Sequence, residues 1–466
     1  MTDTAEQSEK KTKKKISLGA NYWKLWTASV TSNLGDGVAG IAYPWLASAV
    51  TRNALLIALI AIAQRIPWLI FTLPAGVITD RVDRRKIMTF TSVFRTVLTL
   101  AVAAVVYLNQ DMLPSPGDVA SGGIGTPNTV VYTTLLVSAL LFGFAEVLYD
   151  NAAQTILPAI VEPEGLEKAN SRLWGAEMVM NQFVGPPLGS VLIGVAFALP
   201  FFFDAGTFAI AAALIFALSG VFKIDHPASE NGGERPGFWD EIKEGVKWLW
   251  SHALLRPMAI ILGLMNGLFS LTFATLVLFA QEVLDVTTAT FAVLMMAGAA
   301  GGVLGSVFAP KVSEKFGSGT SLYFTLIGGA VATLVIGLSS YWVMAWVMFF
   351  FFSFTAVLWN VITVSLRQTI IPDHLLGRVN SVYRFFAWGM MPIGLAIGGL
   401  IVIGAEASGL DRVMALRLPY FVSAVALFAV FLWAAPQLTT EKIETAREQG
   451  IAAKDTEPRT QSTGAE

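Results

Sequence analysis

The chain has 466 residues, 55% of them hydrophobic and 14% charged, with a formal net charge of −2 and a mean hydropathy of +0.63. Soluble domains carry about 25% charged residues, so this composition excludes a soluble fold and gives no basic surface for a nucleic acid. Cysteine is absent, which excludes disulfides, thiolate metal sites and cysteine nucleophiles.

Residues 1–20 read as a mobile cytoplasmic tail carrying Lys10, Lys11, Lys13, Lys14 and Lys15. No cleavable signal stands out, so the first apolar segment is expected to double as the targeting signal. Crossing a bilayer takes about 20 apolar residues. Such segments follow at 21–50, 54–79, 87–108, 130–158, 168–197 and 200–221. They resume at 255–281, 287–309, 319–339, 341–370, 378–403 and 415–435. The predicted organisation is an N-terminal tail (1–20), a six-helix bundle (21–221), a cytoplasmic linker (222–254), a second bundle (255–435) and a polar, mobile C-terminal tail (436–466).

Charge tests that layout. With both termini in the cytoplasm, 26 of the 31 Lys and Arg fall on the cytoplasmic side. Arg52, Arg412 and Arg417 fall outside, and Arg65 and Arg95 lie within spans. This is the asymmetry of the positive-inside rule in an inner or plasma membrane. Residues 109–129 form the longest outer loop, rich in Gly, Pro and Ser. In the linker, FWDEIKEGVKWLW puts Trp239, Ile242, Val246 and Trp250 on one helical face, which predicts an interfacial helix tying the halves together.

Between the second and third segments, AGVITDRVDRRKIM (75–88) packs Asp80, Arg81, Asp83, Arg84, Arg85 and Lys86 into a tight cytoplasmic turn. Two further stretches repeat six segments apart. Gln154-Thr155-Ile156-Leu157-Pro158 matches Gln368-Thr369-Ile370-Ile371-Pro372, and Asn170-Ser171 matches Asn380-Ser381. The GxxxDRxxRR pattern resembles the signature of the major facilitator superfamily, with Gly76, Asp80, Arg81, Arg84 and Arg85 at the matching positions. The family often has Gly where Asp83 stands. Gly35-Asp36-Gly37, the EGVKWLW helix and Leu376-Gly377-Arg378-Val379-Asn380-Ser381 point within it to drug and siderophore exporters, a group that includes macrolide efflux and enterobactin export proteins. The resemblance implies an all-α membrane protein of twelve transmembrane helices in two pseudo-symmetric six-helix bundles. It also implies that the glycine of the loop allows close helix contact, and that its Asp and Arg residues latch helix ends in one state of a transport cycle.

A charge inside a span costs about 2.5–3.5 kcal/mol at mid-depth and is a functional candidate by default. Asp36 lies near the middle of the first segment, and Arg65, at similar depth in the second, is its expected partner. Glu146, Asp150 and Gln154 recur every four residues and form one stripe. Glu177 and Asn181 repeat that spacing in the fifth segment, and Arg95 enters from the third. Three carboxylates at one depth cannot all pair with one arginine, so one is expected to load and release H⁺. A structural ion pair is the competing reading. The second half offers Asn266 and Asn360, with Trp359, Phe269, Phe273 and Phe349–Phe354 as an apolar substrate surface. Gly185-Pro186-Pro187-Leu188-Gly189 resembles the superfamily's antiporter motif, and Pro392, Gly394, Gly398 and Gly399 look like its repeat.

No GxxxxGK[ST] loop is present, so ATP is not the direct energy source. His226, His252 and His374 lie in loops, and no metal, cofactor or enzyme activity is expected. The expectation is a monomeric secondary transporter exporting a hydrophobic small molecule against protons. The alternatives on the same fold are a siderophore, lipid or metabolite exporter, or a proton symporter.

Overall fold

The computed structural model describes residues 18–120, 123, 128–220, 222 and 238–456. The lysines at 10–15 and the last ten residues therefore lie outside the described residues. Twelve crossings account for the two predicted runs of six. The first half comprises α1 (Gly19–Val50), α2 (Ala54–Ile70, continued by Thr72–Arg81) and α3 (Arg84–Leu108). It is completed by α4 (Thr129–Ile160), α5 (Leu166–Met178, a π turn at Val179–Val184, then Gly185–Val195) and α6 (Leu199–Phe216). The second half comprises α7 (Leu255–Phe273, continued by Leu276–Glu282), α8 (Thr288–Phe316), α9 (Ser318–Leu338), α10 (Trp342–Ile370), α11 (Asp373–Ala407) and α12 (Arg412–Ala434). Among the described residues, ten helices are long and apolar enough to cross a membrane. The other two crossings are α1, diluted by Lys24, Asn33 and Asp36, and α2, broken at Phe71. An even number of crossings puts the start of α1 and the end of α12 at one face of the molecule, the terminal face.

Short polar side chains close several helix starts, where N–H groups have no partner in the helix itself. Asn53 accepts from Leu55 N and Leu56 N at 3.0 and 3.1 Å. Asn128 accepts from Val131 N at 3.1 Å, and Asp411 from Met414 N at 3.0 Å.

Glycine sets the approach of α1 to α5. A Cβ at Gly185 would stand 2.6 Å from Gly37 Cα, and one at Gly189 would stand 2.8 Å from Val38 O. The second half repeats this with α7 and α11, where Gly394 lies on the backbone of Gly267. The pairs Asp36-Gly37 and Asn266-Gly267 thus hold equivalent places, an acid in one half and its amide analogue in the other.

Near the face opposite the termini, one apolar core runs through both halves, from Trp45 and Phe201 to Phe279, Phe291 and Tyr420. Toward the terminal face it divides. Tyr22, Met88 and Ile215 belong to a cluster of the first half, and Met258, Trp359 and Tyr383 to one of the second. Across the seam α2 packs on α11 and α5 on α8.

Two sequence expectations need correction. The linker helix forms (Phe238–Ser251), but it packs on α7 and α11 of the second half instead of tying the halves together. Leu249 is fully buried, Gly245 abuts Arg378, and Glu244 pairs with Arg378. Val246 and Trp250 are exposed, and the side chains of Trp239 and Ile242 lie outside the described residues. The expected mobile tail is instead a helix, Thr440–Thr456, over its described length. It is held because Leu438 and Ile443 are completely buried against α9 and α10, and Ser318 Oγ donates to Glu444 at 3.0 Å.

Candidate proton and substrate site

The π turn in α5 has a local cause. Pro186 and Pro187 carry no N–H, so the carbonyls one turn earlier lose their helical partners and the ladder slips just upstream. The slip carries Asn181, half-buried, and begins two residues after Glu177. The backbone of Asn181 lies against Gly37, so the widened turn meets α1 beside Asp36.

Arg95 of α3 lies behind this crossing with only 3% of its surface exposed. Its guanidinium carbon is 5.0 Å from the centroid of the Tyr149 ring, 5.3 Å from Phe208 and 5.6 Å from Phe142. Arg95 forms no ion pair among the described residues, and its Nε has no hydrogen-bond partner. It is held by three ring faces and by the field of the acids around it. Asp36 and Asp150 lie within electrostatic reach of each other, of Arg95, and of Glu146 and Glu177; Asp36, Glu146 and Asp150 are half-buried and Glu177 is exposed. Four carboxylates about one guanidinium leave an excess of negative charge when all are ionised. Like charges so placed repel one another, the more strongly the less water lies between them.

The expected partner of Asp36 is wrong. Arg65 is exposed beside Gln64, because α2 turns Ala63 and Pro67 inward, and the base facing Asp36 is Arg95. Sequence reading also missed Asp204 of α6. It is fully buried, shares the field of Asp36 and Arg95, and its Oδ2 has no hydrogen-bond partner. The signal was present, since Asp204 is the one charge in the apolar run LPFFFDAGTFAIAAALIF.

In the second half, Asn266 donates to Ala387 O of α11 at 2.9 Å and so braces two helices. Asn360 is exposed. Trp359 is 1% exposed in the core of its own half, which removes it from the expected substrate surface. Phe269 stacks on Phe352 with centroids 5.2 Å apart.

The basic loop binds helix ends of its own half. Asp83 caps α3, accepting from Arg85 N at 2.9 Å, and also accepts from Phe222 N at 3.0 Å. Arg84 Nη1 donates to Thr155 O at the end of α4 and Arg85 Nη1 to Leu218 O beyond α6, each at 2.7 Å. Arg81 is exposed, and the side chain of Asp80 lies outside the described residues. A Cβ at Gly76 would meet open space, so the close contact expected there is not made in this conformation.

A second charged group joins the halves at the opposite face. Arg52, after α1, donates to Gln281 Oε1 and stands 3.6 Å from Glu282 of α7. Arg412 of α12 donates to Glu282 at 2.8 Å, to Glu406 at 2.5 Å and to Arg52 O at 2.8 Å. Gln281 donates to Ser48 Oγ at 2.9 Å. Among the described residues, no three His, Asp or Glu are grouped to hold a metal ion.

This chain is 28% identical over 414 residues to the multidrug efflux pump Tap of Mycolicibacterium fortuitum, covering 87% of this chain and 94% of that one. It is 22% identical over 388 residues to the enterobactin exporter EntS of Citrobacter koseri, covering 82% and 84%. Among solved structures, it superposes on a bacterial homologue of the iron transporter ferroportin in its inward-facing state with a TM-score of 0.66, at 16% identity and covering 90% and 98% of the two chains. The outward-facing structure of that homologue gives 0.54, also at 16% identity and covering 91% and 99%. The Major Facilitator Superfamily model matches residues 25–395, and with the twelve-crossing fold this places the chain in that family of non-enzymatic membrane transporters.

Proposed function

We propose that this transporter exports hydrophobic small molecules in exchange for protons by alternating access, with its terminal face in the cytoplasm. The observation that carries this reading is the cluster of Asp36, Glu146, Asp150 and Glu177 about Arg95, between four crossings of the first half. Excess acid at that place binds protons, and a cationic or polarisable cargo competes for the same field. Asn181, Asn266 and Asn360 are the neutral polar groups of the substrate path, and the Gly185–Gly189 crossing fixes α5 against α1.

Orientation rests on charge. The excess of Lys and Arg in the segments expected at the terminal face supports a cytoplasmic placement of that face. The conformation is then inward-facing, supported by the polar bonds and continuous core at the opposite face, the divided core at the terminal face, and the higher score against the inward-facing neighbour. Export is supported by the two relatives named as an efflux pump and an exporter. The second of them favours a siderophore as the other cargo class.

The test is the purified chain in liposomes under an imposed pH gradient, with ethidium as the first cargo and a catecholate siderophore as the second. Gradient-dependent movement of ethidium is the expected result. Movement of the siderophore alone would change the cargo, and movement of both without any gradient dependence would contradict proton exchange.

A further inference from the structure

Asp204 has no part in the exchange proposed for the other acids, yet among the described residues it is the most completely enclosed acid of the first half. Its relative exposure is 0%. Thr207 Oγ1 donates to Asp204 O at 2.7 Å and stands 3.4 Å from Oδ1. Oδ2 has no partner. A Cβ at Gly35 would collide with Asp204 Oδ1 and Thr207 Oγ1, so this carboxyl is pressed against the α1 backbone one residue before Asp36. From α1 it is faced by Asp36 and Tyr43, and from α3 by Arg95. The second part of α5, Gly185–Val195, contains no titratable residue. The one base in reach is Arg95, which rests on aromatic rings and makes no ion pair with it.

A buried carboxyl with one oxygen unmatched is costly to keep for packing alone, since an apolar side chain would fill the space without an orphaned polar atom. Burial beside a second acid makes the two charge states depend on each other. We infer that Asp204 is a second proton-carrying carboxyl of this transporter, coupled to Asp36 across the Gly35 contact, with Arg95 the counter-charge they share. This rests on the proton-exchange reading and adds to it a stoichiometric element: the pair, and not one acid, loads and releases H⁺.

Infrared difference spectroscopy of the full-length chain in liposomes, stepped between acid and alkaline pH, reports protonated carboxyl groups directly and needs no cargo. The expected result is a protonated-carboxyl band that bleaches on the alkaline step, loses one component in Asp204→Asn, and shifts in Asp36→Asn because the two are coupled. Thr207→Val keeps the carboxyl and removes its neighbour's hydroxyl. It is expected to move the pH midpoint of that component, a readout a packing role would leave still. A band in Asp204→Asn identical to the wild type overturns the assignment, as does a component assigned to Asp204 that never bleaches. Ethidium and siderophore movement in the wild type, measured alongside, separates the two levels. If both are insensitive to the gradient, the exchange reading fails. If either is gradient-driven while the Asp204 band is absent, only the assignment of Asp204 fails.

Discussion

Arg95 sets the electrostatics of the first half because it is a buried base held by rings and not by a carboxylate. Arg95→Met is expected to lower stability by about 2 kcal/mol or more, from cation–π contacts of about 0.5–2 kcal/mol each, and to abolish gradient-driven transport. Arg95→Lys keeps the charge but not the planar stacking, so partial transport is expected. Thermal unfolding in detergent and liposome flux check both. His252 offers a pH-dependent test outside the spans. Its Nδ1 accepts from Leu254 N and Leu255 N at 3.3 and 3.2 Å, capping α7, and burial pushes it below its ordinary value near 6.5. The unfolded chain therefore takes up the proton first as pH falls. The contribution of His252 is complete above the unfolded value and is lost as pH drops through the folded one. His252→Asn, which can still cap, is expected to flatten the acid limb of a thermal-stability profile. Residue chemistry was readable in the sequence only as far as depth. The acids Asp36, Glu146, Asp150 and Glu177 are candidates because charges stand out in apolar runs. Hydropathy does not fix the rotation of a helix such as α2, so Arg65 was assigned a partner it does not face.

At the level of the helix, the crossing of α1 and α5 is a backbone-to-backbone constraint on the site. Gly185→Ala would force a methyl to within 2.6 Å of Gly37 Cα. The expected cost is about 1–3 kcal/mol, with loss of transport. Gly194→Ala on the same helix meets nothing within 4 Å and is expected to be neutral or stabilising by up to about 1 kcal/mol. Unfolding temperatures and flux compare the two. Helix count, the Pro pair and the six-crossing repeat were all readable, since each is written in apolar length, missing N–H groups or repeated residues. The π turn was not, because it depends on how α5 relieves those missing donors against α1. The tail helix was not either. Its polar composition hid two anchors, Leu438 and Ile443, whose value appears only where α9 and α10 leave a groove.

In the whole molecule, one face is held shut by an apolar core and by Arg52, Gln281, Glu282 and Arg412. Glu282→Gln removes the charge two arginines share. The expected effect is about 1–2 kcal/mol, a factor of roughly 5–30 in population toward the state open at that face. The chain has no cysteine, so spin labels at Asp111→Cys and Ser408→Cys report the separation of the halves directly, and Glu282→Gln is expected to lengthen it. Sequence alone could place these charges outside the membrane but could not pair them, since Arg412 lies 130 residues from Glu282 and Arg52 lies 229 from Gln281. The central claim, that acids of the first half couple cargo to protons, is tested most directly by comparing two fluxes in liposomes. Cargo exchange without a gradient and cargo accumulation with one are measured for Asp36→Asn, Glu146→Gln, Asp150→Asn and Glu177→Gln. The account predicts at least one variant that exchanges cargo as the wild type does yet no longer accumulates it, and wild-type accumulation in all four would contradict it.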